Sequence, residues 1–122
     1  MSDKIYDLES FAKLSLENKT IGVLGGSFNP PHEGHLLIAK RALEEGLDYV
    51  ILMIAEQNPL KPQYKNGFND RTNKTRELSK KEDRIIVSTL ESDLKSPNTY
   101  YTLEYLAKHF FKNNFTWIMG VD

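Results

Sequence analysis

The 122-residue sequence contains no cysteine. This absence excludes disulfides, thiolate zinc sites, iron–sulfur clusters and cysteine nucleophiles among these residues, and it fits a reducing, cytoplasmic location. A charge excess of one sign is also lacking, because 16 Lys and Arg stand against 17 Asp and Glu for a net charge of -1. Without a basic field to hold a polynucleotide, nucleic acid is not expected as a partner.

Long hydrophobic runs are missing as well. The longest, Tyr49 to Ala55, is far shorter than the roughly 20 residues that cross a bilayer. Residues 1–19 carry acidic residues early and have no uninterrupted apolar core of the signal-peptide kind. We therefore expect no membrane segment. What is present is a composition typical of globular proteins, 39% hydrophobic and 27% charged, in a chain long enough for one compact core.

Two spacings of apolar residues predict alternating strands and helices. Short apolar, β-branched runs between turn residues are typical of buried strands, and apolar residues three and four apart are typical of helices. These patterns predict strands at Thr20–Gly25, Tyr49–Ala55, Arg84–Leu90 and Phe115–Met119, and helices at Gly34–Glu45 and Thr102–Lys112. The polar segment Glu56–Asp83 predicts a surface loop and a weakly anchored helix over Asp70–Lys81, where Leu78 is the only large apolar residue.

This alternation predicts an α/β fold, a Rossmann-like parallel sheet with helices on both faces, and ligands at the carboxyl ends of the strands. We divide the chain into an arm or short helix at 1–19 and an α/β domain at 20–122. The sequence stops directly after the fourth predicted strand, without the helix that should cover that part of the sheet. The domain is therefore expected to be incomplete, with its C-terminal part missing.

One segment, G-G-S-F-N-P-P-H-E-G-H-L from Gly25 to Leu36, lies between the first predicted strand and the first predicted helix. Its two leading glycines let a phosphate approach the backbone amides, and the helix that begins near Gly34 directs unpaired N–H groups and its positive end there. His32 and His35, three residues apart, can present both imidazoles on one side to donate to phosphate oxygens. The pattern predicts an anion site.

Simpler interpretations of the same residues stay open. A Gly-Gly pair after a strand is usually only a turn, and a surface histidine is usually only solvated. Two histidines could also hold a metal, but the sequence offers no cysteine and only one more histidine, His109, so a metal-only site is not expected. We expect His109 to interact with the end of its own helix.

Four motifs in order carry a resemblance to a known family. After the glycine–histidine segment come N-P-L-K (Asn58–Lys61), T-Y-Y-T-L (Thr99–Leu103) and W-I-M-G-V-D (Trp117–Asp122). Together they resemble the nucleotidyltransferase superfamily with the H-x-G-H signature, and within it the bacterial nicotinate-nucleotide adenylyltransferases. The sequence departs from the family's pattern at Asn29, where many members have Asp, and at Asn98, where Tyr is expected.

The resemblance implies transfer of AMP from ATP to nicotinate mononucleotide, without a covalent enzyme intermediate, to give deamido-NAD and pyrophosphate. It implies Mg²⁺ bound with ATP and catalytic roles for His32 and His35. The residues implied to bind ATP are Gly25, Gly26, Ser27, Phe28, Gly34, Gly120 and Asp122, and those implied to bind nicotinate mononucleotide are Asn58, Lys61 and Thr99. Family members continue past Asp122 to an S-x-T-x-x-R motif that binds the ATP phosphates.

Two other functions remain open from the sequence. One is a sibling nucleotidyltransferase with another acceptor, such as phosphopantetheine, because H-x-G-H does not specify the acceptor. The other is a truncated, non-catalytic nucleotide-binding remnant. At single positions, Thr99 could simply cap the following helix and Lys61 could be a solvated loop charge. Self-association through an exposed apolar face is a further expectation.

Overall fold

The computed structural model describes residues 5–7, 9–10, 18–26, 28, 31–55, 67–94, 99–109 and 114–118, with the backbone alone for Thr99, Tyr100 and Trp117. Strands and helices alternate along this part of the chain. The strands are β1 (Ile5–Tyr6), β2 (Thr20–Gly26), β3 (Tyr49–Ile54), β4 (Ile85–Ser88) and β5 (Asn114–Ile118). The helices are α1 (Glu33–Glu44), α2 (Phe68–Ser79), α3 (Leu90–Asp93) and α4 (Thr99–His109). Within these ranges, no helix combines the length and the apolar character needed to span a membrane.

The five strands form one parallel sheet in the order β1-β4-β3-β2-β5. The parallel α/β sheet predicted from the sequence is therefore confirmed. From β2 the chain moves outward through β3 to β4, then returns to the other side of β2 as β5. The strand order thus reverses between β2 and β5. In sheets of this kind, the crevice at the carboxyl ends of such a strand pair is where ligands bind.

Hydrophobic residues cover both faces of the sheet, and β3 shows how. Ile51 and Met53 pack in a cluster with Leu90 and with Leu106 of α4, on one face. Val50, Leu52 and Ile54 pack in a second cluster that contains the apolar side of α1. Since successive strand residues point to opposite faces, an uninterrupted apolar run is what a strand buried on both sides requires.

The N-terminal arm differs from its prediction at two residues, while Glu9 and Ser10 are helical. Apolar spacing in residues 1–19 predicts a helix or a partly ordered arm, but Ile5 and Tyr6 form β1, opposite Val87 and Ser88 of β4. The Ser88 hydroxyl donates to the Tyr6 carbonyl oxygen at 2.9 Å, and Tyr6 is buried. Helical periodicity is wrong at these two residues because pairing with a distant strand decides their conformation, and a two-residue strand is too short to show alternation.

The weak anchoring predicted for the second helix is also wrong. Helix α2 buries Arg71, Thr72, Thr75 and Ser79 rather than large apolar residues. The Thr75 hydroxyl donates to the Arg71 carbonyl oxygen at 2.7 Å, and the Ser79 hydroxyl donates to that of Thr75 at 3.0 Å. Because these hydroxyls are satisfied within the helix, the residues can pack as small core groups.

Two elements, β4 and α4, show the largest other departures from their predicted bounds. Strand β4 is shorter than the predicted Arg84–Leu90, because Leu90 begins the short helix α3. Helix α4 begins at Thr99, three residues before the predicted start. These shifts leave the order of strands and helices as predicted.

An apolar groove of about 710 Å³ lies between α1 and β5. Its lining includes Leu37 and Ile38 of α1 together with Ile118 of β5, and Leu37 is 68% exposed. This is the exposed apolar surface from which self-association is expected. The self-association itself stays a prediction.

Candidate active site

The two glycines of the motif are the last residues of β2, at the point where the strand order reverses. Gly25 lies opposite Met53 and Gly26 opposite Ile54, and the Gly26 carbonyl oxygen accepts a hydrogen bond of 2.9 Å from the Ala55 amide. Both glycines are half-buried. The chain leaves the sheet here and begins α1 seven residues later, so the motif occupies the end of the sheet where ligand binding is expected.

Phe28 takes an unusual backbone conformation between β2 and α1. Its φ of 52° is in the left-handed region, which costs a non-glycine residue roughly 1 to 2 kcal/mol. Its side chain is fully buried in the cluster beneath α1, and its ring centroid lies 4.6 Å from that of His35. The phenyl ring is a core group.

His32 and His35 cap the start of α1 reciprocally. His32 is the N-cap, with extended backbone, and its ring Nδ1 accepts a hydrogen bond of 3.0 Å from the Gly34 amide. In return, the His32 amide donates to His35 Nδ1 at 3.0 Å. The two rings stack with their centroids 3.9 Å apart and their planes 28° from parallel. The two imidazoles that the sequence predicts on one side are therefore in direct contact.

The two rings differ in exposure. His35 is 2% exposed, and its Nε2 atom is out of contact with solvent. His32 is exposed and lies over it. The pair therefore has an inner ring between Phe28 and His32, and an outer ring at the surface. A ligand arriving from solvent would meet His32 first.

The amides at the start of α1 correct one expectation. The sequence predicts unpaired N–H groups there, but the Gly34 amide is bonded to the His32 ring and the His35 amide donates to the His32 carbonyl oxygen at 3.0 Å. The expectation fails for these two amides, because histidine is not among the usual N-cap residues and its capping bonds were not expected. In this conformation Gly34 offers its N–H to the His32 ring.

Arg71 of α2 lies next to the candidate site, and the sequence does not predict this. It is the largest fully buried side chain among the described residues, and its Nη1 donates a hydrogen bond of 2.8 Å to the Ala55 carbonyl oxygen, directly beyond β3. Its guanidinium also lies over the Phe68 ring, 5.6 Å from the centroid. A permanent positive charge thus sits near the carboxyl ends of β3 and β2. The sequence does contain an indication of a buried side on α2, because Arg71, Thr72, Thr75 and Ser79 recur at helical spacing.

Glu91 and Thr102 join α3 to α4 near the end of β4. The Thr102 hydroxyl lies 3.4 Å from Glu91 Oε2, and Thr102 is buried. Burial raises the pKa of the Glu91 carboxyl, while the hydrogen bond from Thr102 opposes that shift. The contact fixes the first turns of α4, where Thr99 is the first residue. Sequence reasoning misses this pair because Glu91 lies outside the four motifs, although Thr102 belongs to T-Y-Y-T-L.

Other predicted site residues lie outside the described part of the chain: Ser27, Asn58, Lys61, Gly120 and Asp122. His109 behaves as expected, since its Nδ1 lies 3.1 Å from the Tyr105 carbonyl oxygen in the last turn of α4. Its ring also stacks on that of Tyr105. Across the described ranges, no three His, Asp or Glu residues are grouped so that they could hold a metal ion.

Known proteins resemble this chain in sequence. The model of the cytidylyltransferase-like family matches residues 23–122. A "Probable nicotinate-nucleotide adenylyltransferase" of Parvibaculum lavamentivorans is 41% identical over 103 residues, covering 84% of this chain and 51% of the relative. One of Ruegeria sp. is 38% identical over 104 residues, covering 84% and 54%. The chain thus spans about half the length of these relatives.

Solved structures of similar fold carry a related name. The "Plasmodium falciparum nicotinic acid mononucleotide adenylyltransferase complexed with NaAD" matches with a TM-score of 0.62 and 22% identity, covering 84% of this chain and 51% of that one. The same protein complexed with APC matches with a TM-score of 0.64 and 22% identity, covering 84% and 50%. At this identity the likeness shows the fold.

Proposed function

The chain belongs to the cytidylyltransferase-like family, and on that premise we propose that its protein transfers AMP from ATP to nicotinate mononucleotide, forming deamido-NAD and pyrophosphate. The observation that carries the proposal is the contacting pair His32 and His35 after the glycine end of β2, at the reversal of strand order. Relatives 35–41% identical to the chain are named for this activity.

The proposed reaction is an in-line displacement. A phosphate oxygen of the mononucleotide attacks the α-phosphorus of ATP, the new P–O bond forms, and the bond to pyrophosphate breaks. No group of the protein forms a covalent bond, so its work is to hold two anions together and stabilise charge on the transferring phosphoryl group. We assign that stabilisation to His32 and His35, whose Nε2–H groups would donate to phosphate oxygens. The Nε2 atom of His35 is buried here, so this role requires the neighbouring groups to move aside when ATP binds.

The remaining roles follow the family resemblance. Gly25, Gly26, Ser27 and the backbone of Phe28 would form the loop that faces the ATP phosphates, with Gly120 and Asp122 near the ATP ribose. Asn58, Lys61 and Thr99 would hold the nicotinate nucleotide. The positive charge of Arg71, near the carboxyl end of β3, favours anionic substrates at this edge of the sheet.

Mg²⁺ is proposed as a cofactor that arrives with ATP. The described residues contain no group of three potential ligands, which fits a metal held mainly by substrate phosphates and water rather than by a cage of protein groups. Such a metal would neutralise phosphate charge. A cytoplasmic location is also proposed, supported by the absence of cysteine.

Acceptor choice is the direct test of the proposal. The purified chain would be given ATP and Mg²⁺ with one acceptor at a time: nicotinate mononucleotide, nicotinamide mononucleotide or phosphopantetheine. Pyrophosphate release and the mass of the dinucleotide product would be followed, with CTP replacing ATP as a donor control. We expect deamido-NAD to form fastest, and to form from ATP rather than CTP.

Two results would overturn the proposal in different ways. Product with phosphopantetheine alone would assign the chain to a sibling activity within the same family. Binding of ATP without product from any acceptor would favour the non-catalytic alternative. Substitution of His32 or His35 should lower the rate. His109→Asn is the matched control, because His109 lies in the exposed last turn of α4, and this substitution should leave the rate unchanged.

A further inference from the structure

We propose that Gly34 is a positioning residue whose missing Cβ makes the space in which the His32 ring folds onto the start of α1, and that this arrangement holds both histidine rings in the tautomer with the proton on Nε2. The inference deepens the proposed function, on which it rests for its catalytic meaning. In place of the ATP contact that the family resemblance implies for it, Gly34 would thus act through His32.

Position 34 has no room for a side chain while the His32 ring is in place. A Cβ added to Gly34 would lie 2.7 Å from Cε1 and 2.8 Å from Nδ1 of His32, well inside the roughly 3.5 to 4.0 Å at which such atoms attract. The ring cannot simply withdraw, because the same Nδ1 accepts a hydrogen bond of 3.0 Å from the Gly34 amide. Any side chain at position 34 therefore competes with the capping bond that holds the ring.

The tautomers of His32 and His35 follow from the hydrogen bonds that their Nδ1 atoms accept. A backbone amide can only donate, so a ring nitrogen that accepts from it carries a lone pair, and in a neutral imidazole the proton is then on the other nitrogen. The Gly34 amide donates to His32 Nδ1 and the His32 amide donates to His35 Nδ1. Both neutral rings are thereby assigned the Nε2–H form, the donor that a phosphate oxygen needs.

The two rings depend on Gly34 to different degrees. His32 loses its Nδ1 partner if its ring leaves the cap. His35 keeps its own, because that bond comes from the His32 backbone, and its ring is also packed against Phe28 at 4.6 Å. A side chain at position 34 should therefore release the tautomer of His32 and leave that of His35 in place.

Ring ¹⁵N spectra of the labelled 122-residue chain, at a pH of about 9 where model imidazoles are neutral, provide the test. Each signal is assigned by its loss in His32→Asn, His35→Asn or His109→Asn. His109 is an internal reference of the opposite kind, because its Nδ1 faces the Tyr105 carbonyl oxygen and must donate to it. We expect Nε2–H for His32 and His35, and Nδ1–H for His109.

Gly34→Ala should turn the His32 signals into a mixture of both tautomers and leave those of His35 and His109 unchanged. The matched control is Gly67→Ala at the N-cap of α2, where an added Cβ meets nothing within 4 Å. It should change none of the three. A His32 ring that keeps its Nε2–H signature in Gly34→Ala, or shows Nδ1–H in the unmodified chain, overturns the inference.

A stability cycle covers the case in which Gly34→Ala folds poorly. Alanine is the better helix former, so Gly34→Ala should lower the Tm when His32 is present and raise it in the His32→Ala background. A loss of the same size in both backgrounds would show that the His32 ring does not need the space. Neither measurement depends on catalysis, so failure of the proposed activity would leave this test intact.

Discussion

The guanidinium of Arg71 donates a hydrogen bond of 2.8 Å to the carbonyl oxygen of Ala55, and this bond joins α2 to the residue that follows β3. The amide of the same Ala55 donates to the Gly26 carbonyl oxygen at 2.9 Å. A short chain of contacts therefore runs from a buried helix side chain to the glycine end of β2. The charge of Arg71 is held within the fold, where 1% of the residue is exposed.

Arg71→Met should therefore destabilise the protein at nearly constant side-chain volume. Loss of a hydrogen bond from a charged donor costs roughly 1.5 to 3 kcal/mol, and chemical denaturation would measure it. The control is Arg41→Met, because Arg41 is exposed and its Glu45 partner is 3.9 Å away. That change should stay within about 0.5 kcal/mol. Equal losses in the two variants would show that the Ala55 contact contributes nothing specific.

Two substitutions can separate the roles of the two ring nitrogens of His35. In His35→Asn the side-chain oxygen can replace Nδ1 as acceptor for the His32 amide, but the Nε2–H donor is lost. We expect the cap bond to survive, some stability to be lost because the buried ring no longer packs against Phe28, and a turnover about 100-fold lower, the effect of removing one donor to a transition-state charge, roughly 3 kcal/mol. The adenylyl-transfer assay and thermal denaturation would measure the two quantities.

His35→Gln is the complementary variant. Its longer amide can reach toward the Nε2 position, while the acceptor of the cap is lost. Stability should fall by about 1 kcal/mol, the usual effect of losing a cap, and more turnover should survive than in His35→Asn. The reverse ranking of the two variants in turnover would move the functional role from Nε2 to Nδ1.

Glu91 makes stability depend on pH. Since burial raises the pKa of its carboxyl above 4.5, the folded state holds this proton more tightly than the unfolded state does. The stability that results is fully present below pH 4.5 and is lost as the pH rises through the raised pKa. Glu91→Gln should therefore raise the Tm at pH 7, and the gain should shrink at pH 4. Glu44→Gln, at an exposed position on α1, should show no such change with pH. A gain from Glu91→Gln that is equal at both pH values would contradict this account.

Asp48 has the opposite dependence. Its Oδ2 accepts hydrogen bonds from the Thr20 amide at 2.8 Å and from the Thr20 hydroxyl at 2.9 Å. The hydrogen bond from the Thr20 amide is the main cause that lowers the pKa of the Asp48 carboxyl below 3.8. The stability from this carboxylate is present above pH 3.8 and is lost as the pH falls through the lowered pKa. Asp48→Asn should lower the Tm at pH 7 more than at pH 2.5, while exposed Asp83→Asn should not. The same loss at both pH values would exclude the ionised carboxylate as the cause.

The sequence was most informative where local pattern and tertiary structure agree. Buried strand β3 and amphipathic helix α1 need only apolar spacing and turn residues, and both were predicted within a residue or two. Strand β1 could not be predicted, because its partner β4 is distant in the chain. The sequence marks both histidines as site residues, but the capping of α1 by His32 cannot be predicted from it, since the cap depends on a ring rotamer rather than on residue type.

The pairing of β1 with β4 has a consequence for how the chain folds during synthesis. The Tyr6 carbonyl oxygen and the Ser88 hydroxyl that bonds to it are 82 residues apart. At translation rates of roughly 5 to 20 residues per second, Tyr6 would wait on the order of 4 to 16 s for that partner to be made. Contacts of such long sequence separation also slow the closing steps of folding. The docking of β1 is therefore a late event on the ribosome, and until then the edge of the nascent sheet is open to other chains.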